Sequence, residues 1–200
     1  MCYNVNIMQY YRIVRVFACM RKAFPDHPER YFFMRFAIGD LIVYGETGVC
    51  RVEDVVEKEF LGVVCPCYKL QPLYQSCMIF TPADNEAVFM RRIISQEEAS
   101  ALIEGYSSVA PEDCPPASPR ELAERYDKII KLHDCSALIK LSVSIRAKRE
   151  VLAEKKKKLS AVDERYLKRA EDLLLGELAA ALGTDKQSVS SQIQMQGITK

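Results

Sequence analysis

The chain has no tryptophan, only two histidines and no long uninterrupted apolar run, and each shortage excludes something. Without tryptophan there is no indole, the side chain that joins a wide apolar face to a hydrogen-bond donor. His27 and His133 are too isolated to suggest catalysis, and His133, beside Asp134, is expected at a helix end facing the last carbonyls. The stretch Tyr10 to Ala18 is apolar but short, and it carries Arg12 and Arg15. It therefore suits neither a membrane span nor the apolar region of a cleaved signal. Eight cysteines are present, but they are scattered without framework spacing, which fits a reduced cytosolic interior better than a disulfide scaffold. The chain shows no nucleophile with its base, no paired carboxylates in a pocket and no metal triad, so it is read as no enzyme, with no cofactor and no metal.

The strand-like part of the chain lies between Met34 and Pro82, where Val, Ile, Tyr and Phe cluster between Gly and Pro punctuation. A segment of about 50 residues built this way buries a face by curling its sheet into a small barrel, since a flat sheet that short is mostly edge. The first strand is expected at Leu41 to Tyr44 and the second from Val49 into Glu59, with a hairpin at Phe60-Leu61-Gly62. The third runs from Val64 to Leu70 and the fourth from Cys77 to Thr81. Gly45 and Gly48 relieve a turn that needs positive φ; without a following Lys-Ser/Thr they do not make a phosphate loop. Pro66 lacks a ladder donor, so its end of the strand is expected at an edge or bulge. Cys65-Pro66-Cys67 puts two thiols on one strand face, with Cys50 or Cys77 as neighbours in a metal hypothesis. Structural zinc wants a two-residue spacer and a second pair, so buried small hydrophobes are the favoured reading.

Helices follow. Ser95 with Glu98 forms a capping box before Ala99, Leu102, Ile103 and Tyr106, a short helix expected to close the strand domain. Residues 106–117 are acidic and proline-rich and read as a linker. Ser118, Pro119 and Glu121 start a helix with Leu122, Tyr126, Ile129 and Ile130 on its apolar face. Asp134 caps the next, which ends in Lys155-Lys156-Lys157-Lys158, and Ser160 with Asp163 caps the longest, stopped by Gly183. Charge is +1 overall but unevenly laid out. Residues 34–94 hold 6 basic and 8 acidic side chains, while residues 140–169 hold 11 basic and 4 acidic, a net +7. Such an excess on helices is what phosphate binding needs, and a solvated helix face looks the same.

Several of these features occur together, in order: Gly39-Asp40 with Val43-Tyr44, Gly48-Val49-Cys50-Arg51-Val52 with Glu53, Gly62, Tyr68-Lys69-Leu70 with Pro72, and Pro82-Ala83-Asp84-Asn85. In this the chain resembles the CarD/CdnL/TRCF family of bacterial transcription factors. The segment from Leu159-Ser160-Ala161 through Leu173-Leu174-Leu175-Gly176-Glu177-Leu178-Ala179 resembles that family's last long helix, so the resemblance spans residues 34–183. It implies an α+β chain, a small SH3/Tudor-like β-barrel followed by an all-α helical bundle. The expected domains are an extension at 1–33 outside the resemblance, a polymerase-interacting β domain at 34–105, the linker at 106–117 and a helical DNA-contacting domain at 118–200. Family members begin near Met34, and codons for Glu29-Arg30 can mimic a ribosome-binding site. Translation is therefore expected to start at Met34, which the intact mass from the native host would test.

The resemblance implies docking on the RNA polymerase β subunit through Lys58, Ile79, Phe80, Thr81 and Pro82, with Phe80 standing where the family commonly has a basic residue. It also implies contact with promoter DNA, without base-specific reading, through Leu122, Arg125, Lys155, Lys156, Lys157, Lys158, Arg165, Lys168 and Arg169. Leu122 falls where the family has a tryptophan wedge, and is either an apolar wedge or a core residue; Phe80 is likewise a contact or a core residue. Glu164 stands where the family often has Lys, which moves the expected footprint toward the four lysines. The implied protein is a monomer of the bacterial cytoplasm, associated with the nucleoid and not with a membrane, that stabilises the open complex. Two alternatives stand beside it: a polymerase-binding regulator without DNA contact, and an SH3-like peptide-binding adaptor unrelated to polymerase.

Overall fold

The computed structural model describes residues 34–60, 63–112 and 118–198. The expectations for residues 1–33 and for Leu61-Gly62 of the hairpin lie outside these. By their contacts the described residues form two compact units, one comprising residues 34–44 and Cys50–Arg92, the other Gly45–Val49 and residues 93–198.

The first unit is built on an antiparallel sheet of five strands, β1 (Leu41–Tyr44), β2 (Gly48–Phe60), β3 (Val63–Pro72), β4 (Ile79–Pro82) and β5 (Met90–Arg92), in the order β4-β3-β2-β1-β5. β1 has the predicted bounds. The sheet is open, with β4 and β5 as its two ends, so the expected closed barrel is corrected to a five-stranded sheet. β5 was not foreseen, because Met-Arg-Arg carries no alternation; it pairs Ile42 with Arg92 and Tyr44 with Met90. Of the two expectations for the Pro66 end, edge or bulge, the edge is found, and the bulge falls in β2 between Val52 and Asp54. Pro66 lies just outside the β3–β4 ladder, which runs from Cys67–Pro82 to Leu70–Ile79, with its carbonyl accepting the Ala83 N–H at 3.0 Å beyond the end of β4. A prolyl nitrogen is tolerated there because the ladder with β4 has already ended and asks no donor of it.

Phe36, Ile42, Cys50, Val52, Tyr68, Leu70 and Met90 make the buried core of this sheet. Tyr68 is wholly buried, and its hydroxyl accepts the Phe36 N–H at 3.1 Å, which satisfies the one polar atom of a ring otherwise packed in apolar surroundings. Gly45 and Gly48 have φ of 45° and 86°, the left-handed backbone their turn required.

The second unit holds α1 (Gln96–Gly105), α2 (Pro119–Ile130), α3 (Cys135–Glu154), α4 (Ala161–Leu182) and α5 (Lys186–Ile198). Both capping boxes form: Ser95 and Ser118 accept the N–H of Glu98 and Glu121, whose carboxylates reach back to the serine N–H groups. Asp134 caps α3 through the Ala137 N–H, and Gly183, with φ 64°, ends α4. The predicted stripes meet in one core that includes Leu122, Tyr126 and Ile130, Leu138, Leu141 and Ile145, and Tyr166, Ala170, Leu174 and Leu178. Each such large side chain contributes roughly 1.5–3 kcal/mol by burial.

Ala99 and Ile103 of α1 also lie in this core, so α1 belongs with the helices rather than closing the strand domain. The first part of the expected linker is packed too. Tyr106 and Val109 sit against the helical core and the Glu112 N–H donates to Ser144 Oγ at 2.8 Å. Its aromatic and β-branched residues had enough apolar surface to be drawn in; residues 113–117 lie outside the described structure.

Candidate functional site

Register sorts the sheet residues into two faces. Tyr68 and Leu70 point to the core, so their neighbours Cys67 and Lys69 point to the other face. Lys58 pairs with Cys65, Cys67 with Pro82, and Lys69 with Phe80. This outer face therefore gathers Lys58, Cys65, Cys67, Lys69, Phe80 and Pro82.

The Lys58 ammonium sits 3.3 Å from the centroid of the Phe80 ring, an attraction between a cation and a ring face. Both side chains are half-buried. Lysine and phenylalanine thus form one amphipathic contact at the place where the sequence reading expected two separate docking residues. The other three docking candidates sit differently. Ile79 packs against the sheet core from the edge strand. Thr81 is 1% exposed, with Asn85 Nδ2 donating to its hydroxyl at 2.9 Å, and Pro82 is buried. Thr81 lies on the core side with Tyr68 and Pro82 on the outer face with Cys67, and both position the β4 backbone at the end of the sheet.

Cys50 lies in the sheet core, on the face opposite Cys65 and Cys67, and burial pushes its thiol up to about 12. Cys77 is exposed, with its thiol donating weakly to Gln75 Oε1 at 3.9 Å. Neither joins the Cys65–Cys67 pair, whose sulfurs are 3.8 Å apart.

In the helical unit the DNA-contact candidates divide into free and engaged cations. Lys155 to Lys158 are all exposed where α3 ends, and among the described residues none of them forms an ion pair. Lys156 has φ 55°, a left-handed residue that turns the chain out of the helix. Lys168 is exposed, and the exposed Arg165 lies 4.9 Å from the Tyr166 ring. Arg169 is held by Glu46 and, at 3.5 Å, by Asp127. Arg125 is half-buried. Leu122 is 6% exposed within the helical core, the core alternative of the sequence reading, and is not presented as a wedge. A leucine loses little by turning inward on an amphipathic helix, whereas a larger side chain with a polar nitrogen would not fit so readily.

Two buried acids hold this unit together, and neither was recognised from sequence as more than a cap or a helix position. Asp163 is fully buried. Burial alone would raise its pKa, but hydrogen bonds from Lys148 (2.8 Å), Ser160 (2.7 Å) and Tyr126 (2.8 Å) outweigh it and hold the carboxyl below its usual range. Glu177, 4% exposed, accepts the Ile94 N–H at 3.1 Å and the Cys135 thiol at 3.3 Å. Its position inside a run of Leu, Gly and Ala was the available signal, since a lone acid in an apolar stripe needs partners when buried.

Residues 36–94 match the family model of the CarD-like/TRCF RID domain. The chain carries a CarD-like/TRCF RID domain. The match covers the whole sheet, from Phe36 of its core to the residues after β5, and makes this a transcription-related protein. No curated protein matches the chain. Among the described residues no helix is long and apolar enough to cross a membrane.

Proposed function

We propose that this chain is a non-catalytic transcription regulator, a monomer of the bacterial cytoplasm and nucleoid. Its sheet docks on the RNA polymerase β subunit while its basic helices contact promoter DNA and favour the open complex. The observation that carries the reading is the RID-domain match over the sheet, since that domain type interacts with polymerase β. The open end at β4 supports it, because an end strand offers backbone groups to a partner strand. The Lys58–Phe80 contact beside it supplies both charge and apolar area. The four exposed lysines, in no ion pair among the described residues, support the DNA arm.

The mechanism needs no base-specific contact. Attachment to polymerase raises the local concentration of a weak phosphate binder at each promoter. If that binder prefers melted over closed duplex, the equilibrium moves by the difference in affinity. A second reading, a polymerase-binding regulator without DNA contact, is favoured by the burial of Leu122 and by the engagement of Arg169 with two acids.

Retention of the full chain on the isolated polymerase β lobe is the expected result of a pull-down, and its absence would leave the peptide-adaptor reading. A gel shift on an upstream-fork promoter fragment, with and without K155A/K156A/K157A/K158A, separates the two polymerase readings. Weaker binding by the variant supports DNA contact; equal binding leaves the regulator without it.

A further inference from the structure

Within the basic group on α4, Arg169 stands apart. Its guanidinium is held by Glu46 and by Asp127, whereas Arg165 and Lys168 are exposed and form no ion pair among the described residues. We infer that Glu46 is an intramolecular mask on a phosphate-binding site, its carboxylate occupying the guanidinium that a DNA phosphate takes at a promoter. The inference rests on the DNA-contacting reading and supplies its regulation.

Three observations lead there. The first is placement. Arg165 and Arg169 are four residues apart on α4 and so lie on one face of the helix, with Lys168 next to them. The planar fork of an arginine takes two phosphate oxygens at once, and a carboxylate offers it the same two-oxygen geometry. Glu46 thus stands in for the ligand.

The second is how the two acids are mounted. Asp127 follows Tyr126, which is wholly buried in the helical core, so its place on α2 is fixed, and it holds the guanidinium at 3.5 Å. Glu46 comes from the short turn Gly45–Thr47, which belongs with the helices. Gly48 seats that turn on α4. A Cβ there would meet Leu173 Cδ2 at 3.4 Å, one helical turn beyond Arg169.

The third is strength. The side chains of Arg169 and Glu46 are 32% and 51% exposed, and an ion pair this open to water is weak and screened by salt. It exchanges for a phosphate without disturbing the core. The displaced carboxylate stays nearby, and its charge opposes the incoming phosphate. The mask therefore lowers the affinity of the free chain for any DNA, and attachment to polymerase restores occupancy at promoters through local concentration.

The test is fluorescence anisotropy of a labelled upstream-fork promoter fragment with the full chain, over a range of salt, for wild type, E46Q, R169Q and E46Q/R169Q. E46Q should bind about two- to fivefold tighter at low salt. Its log affinity should fall more steeply with log salt, by up to about 0.9 in slope, the value of one added phosphate contact. In the R169Q background the gain should vanish, because the cation that it frees is gone. Glu46→Ala should repeat the gain of E46Q. Equal affinity of wild type and E46Q, or a gain undiminished without Arg169, would overturn the mask while leaving DNA contact standing. No binding by wild type or E46Q would overturn the DNA reading and the mask with it.

Discussion

The sheet and the helical unit solve burial in opposite ways. Among the described residues the sheet core holds seven buried side chains, and its second face is finished by a lysine over a ring and by thiols. The helices bury a far larger apolar set, and place inside it two acids that tie separate helices together. The difference teaches where each unit has freedom. A sheet with two open ends and a small core can give its outer face and β4 edge to a partner. A bundle locked by internal polar contacts keeps its contact groups outside, on side chains such as the four lysines.

The largest test of this contrast is Asp163→Ala. It leaves the Tyr126 hydroxyl without its acceptor and Lys148 without its partner, so the helical unit should lose about 3 kcal/mol, read by urea unfolding at 222 nm. A loss under ~1 kcal/mol would mean that the acid is no lock. The pH response sharpens the point. The Asp163 pKa is depressed in the folded chain, so its stabilisation is present above the unfolded value of about 3.9 and is lost as pH falls through the folded value. Asp163→Asn should flatten that acid limb.

Next in size, replacing Lys155 to Lys158 by alanine should weaken fork-DNA binding about 10- to 100-fold at low salt and make the salt dependence shallower by up to ~3–4 in slope. Polymerase-lobe binding should not change. Phe80→Ala should do the reverse, costing about tenfold in lobe affinity with DNA affinity intact. If either variant moved both affinities, the division of labour between sheet and helices would fail.

The smallest effect is expected at Asp84. Burial raises its pKa, the Glu86 charge adds to this, and Oδ1 is buried with no hydrogen-bond partner among the described residues. A raised carboxyl penalises the fold as pH rises from the unfolded value through the folded one, the opposite sign to Asp163. Asp84→Asn should therefore leave stability at neutral pH unchanged or raised by up to about 0.5–1 kcal/mol, with the gain disappearing near pH 4. A clear loss at neutral pH would show that the charge is used.

Local signals were legible where chemistry between near neighbours decides the outcome. The capping boxes at Ser95 and Ser118, the Asp134 cap, the Gly183 stop and β1 could all be read, because each depends on residues a few positions apart. β5 could not, since three residues ending in two arginines become a strand only by pairing with β1. Nor could the placement of α1, whose apolar face suits either unit until something is packed on it. At the candidate site the sequence pointed to Lys58 and Phe80 separately, but a contact between side chains 22 positions apart in the chain is a property of register.

By itself, then, the sequence determined the strand-then-helix order, the helix ends and the basic run, because periodicity, capping and charge are local quantities. Only the tertiary structure decided that the sheet stays open at β4 and β5, that Leu122 and Asp163 turn inward, that Arg169 is engaged while the four lysines are not, and that Cys65 and Cys67 meet behind Lys58. Burial and pairing are set by distant partners, and a chain read one residue at a time does not reveal which partners it will find.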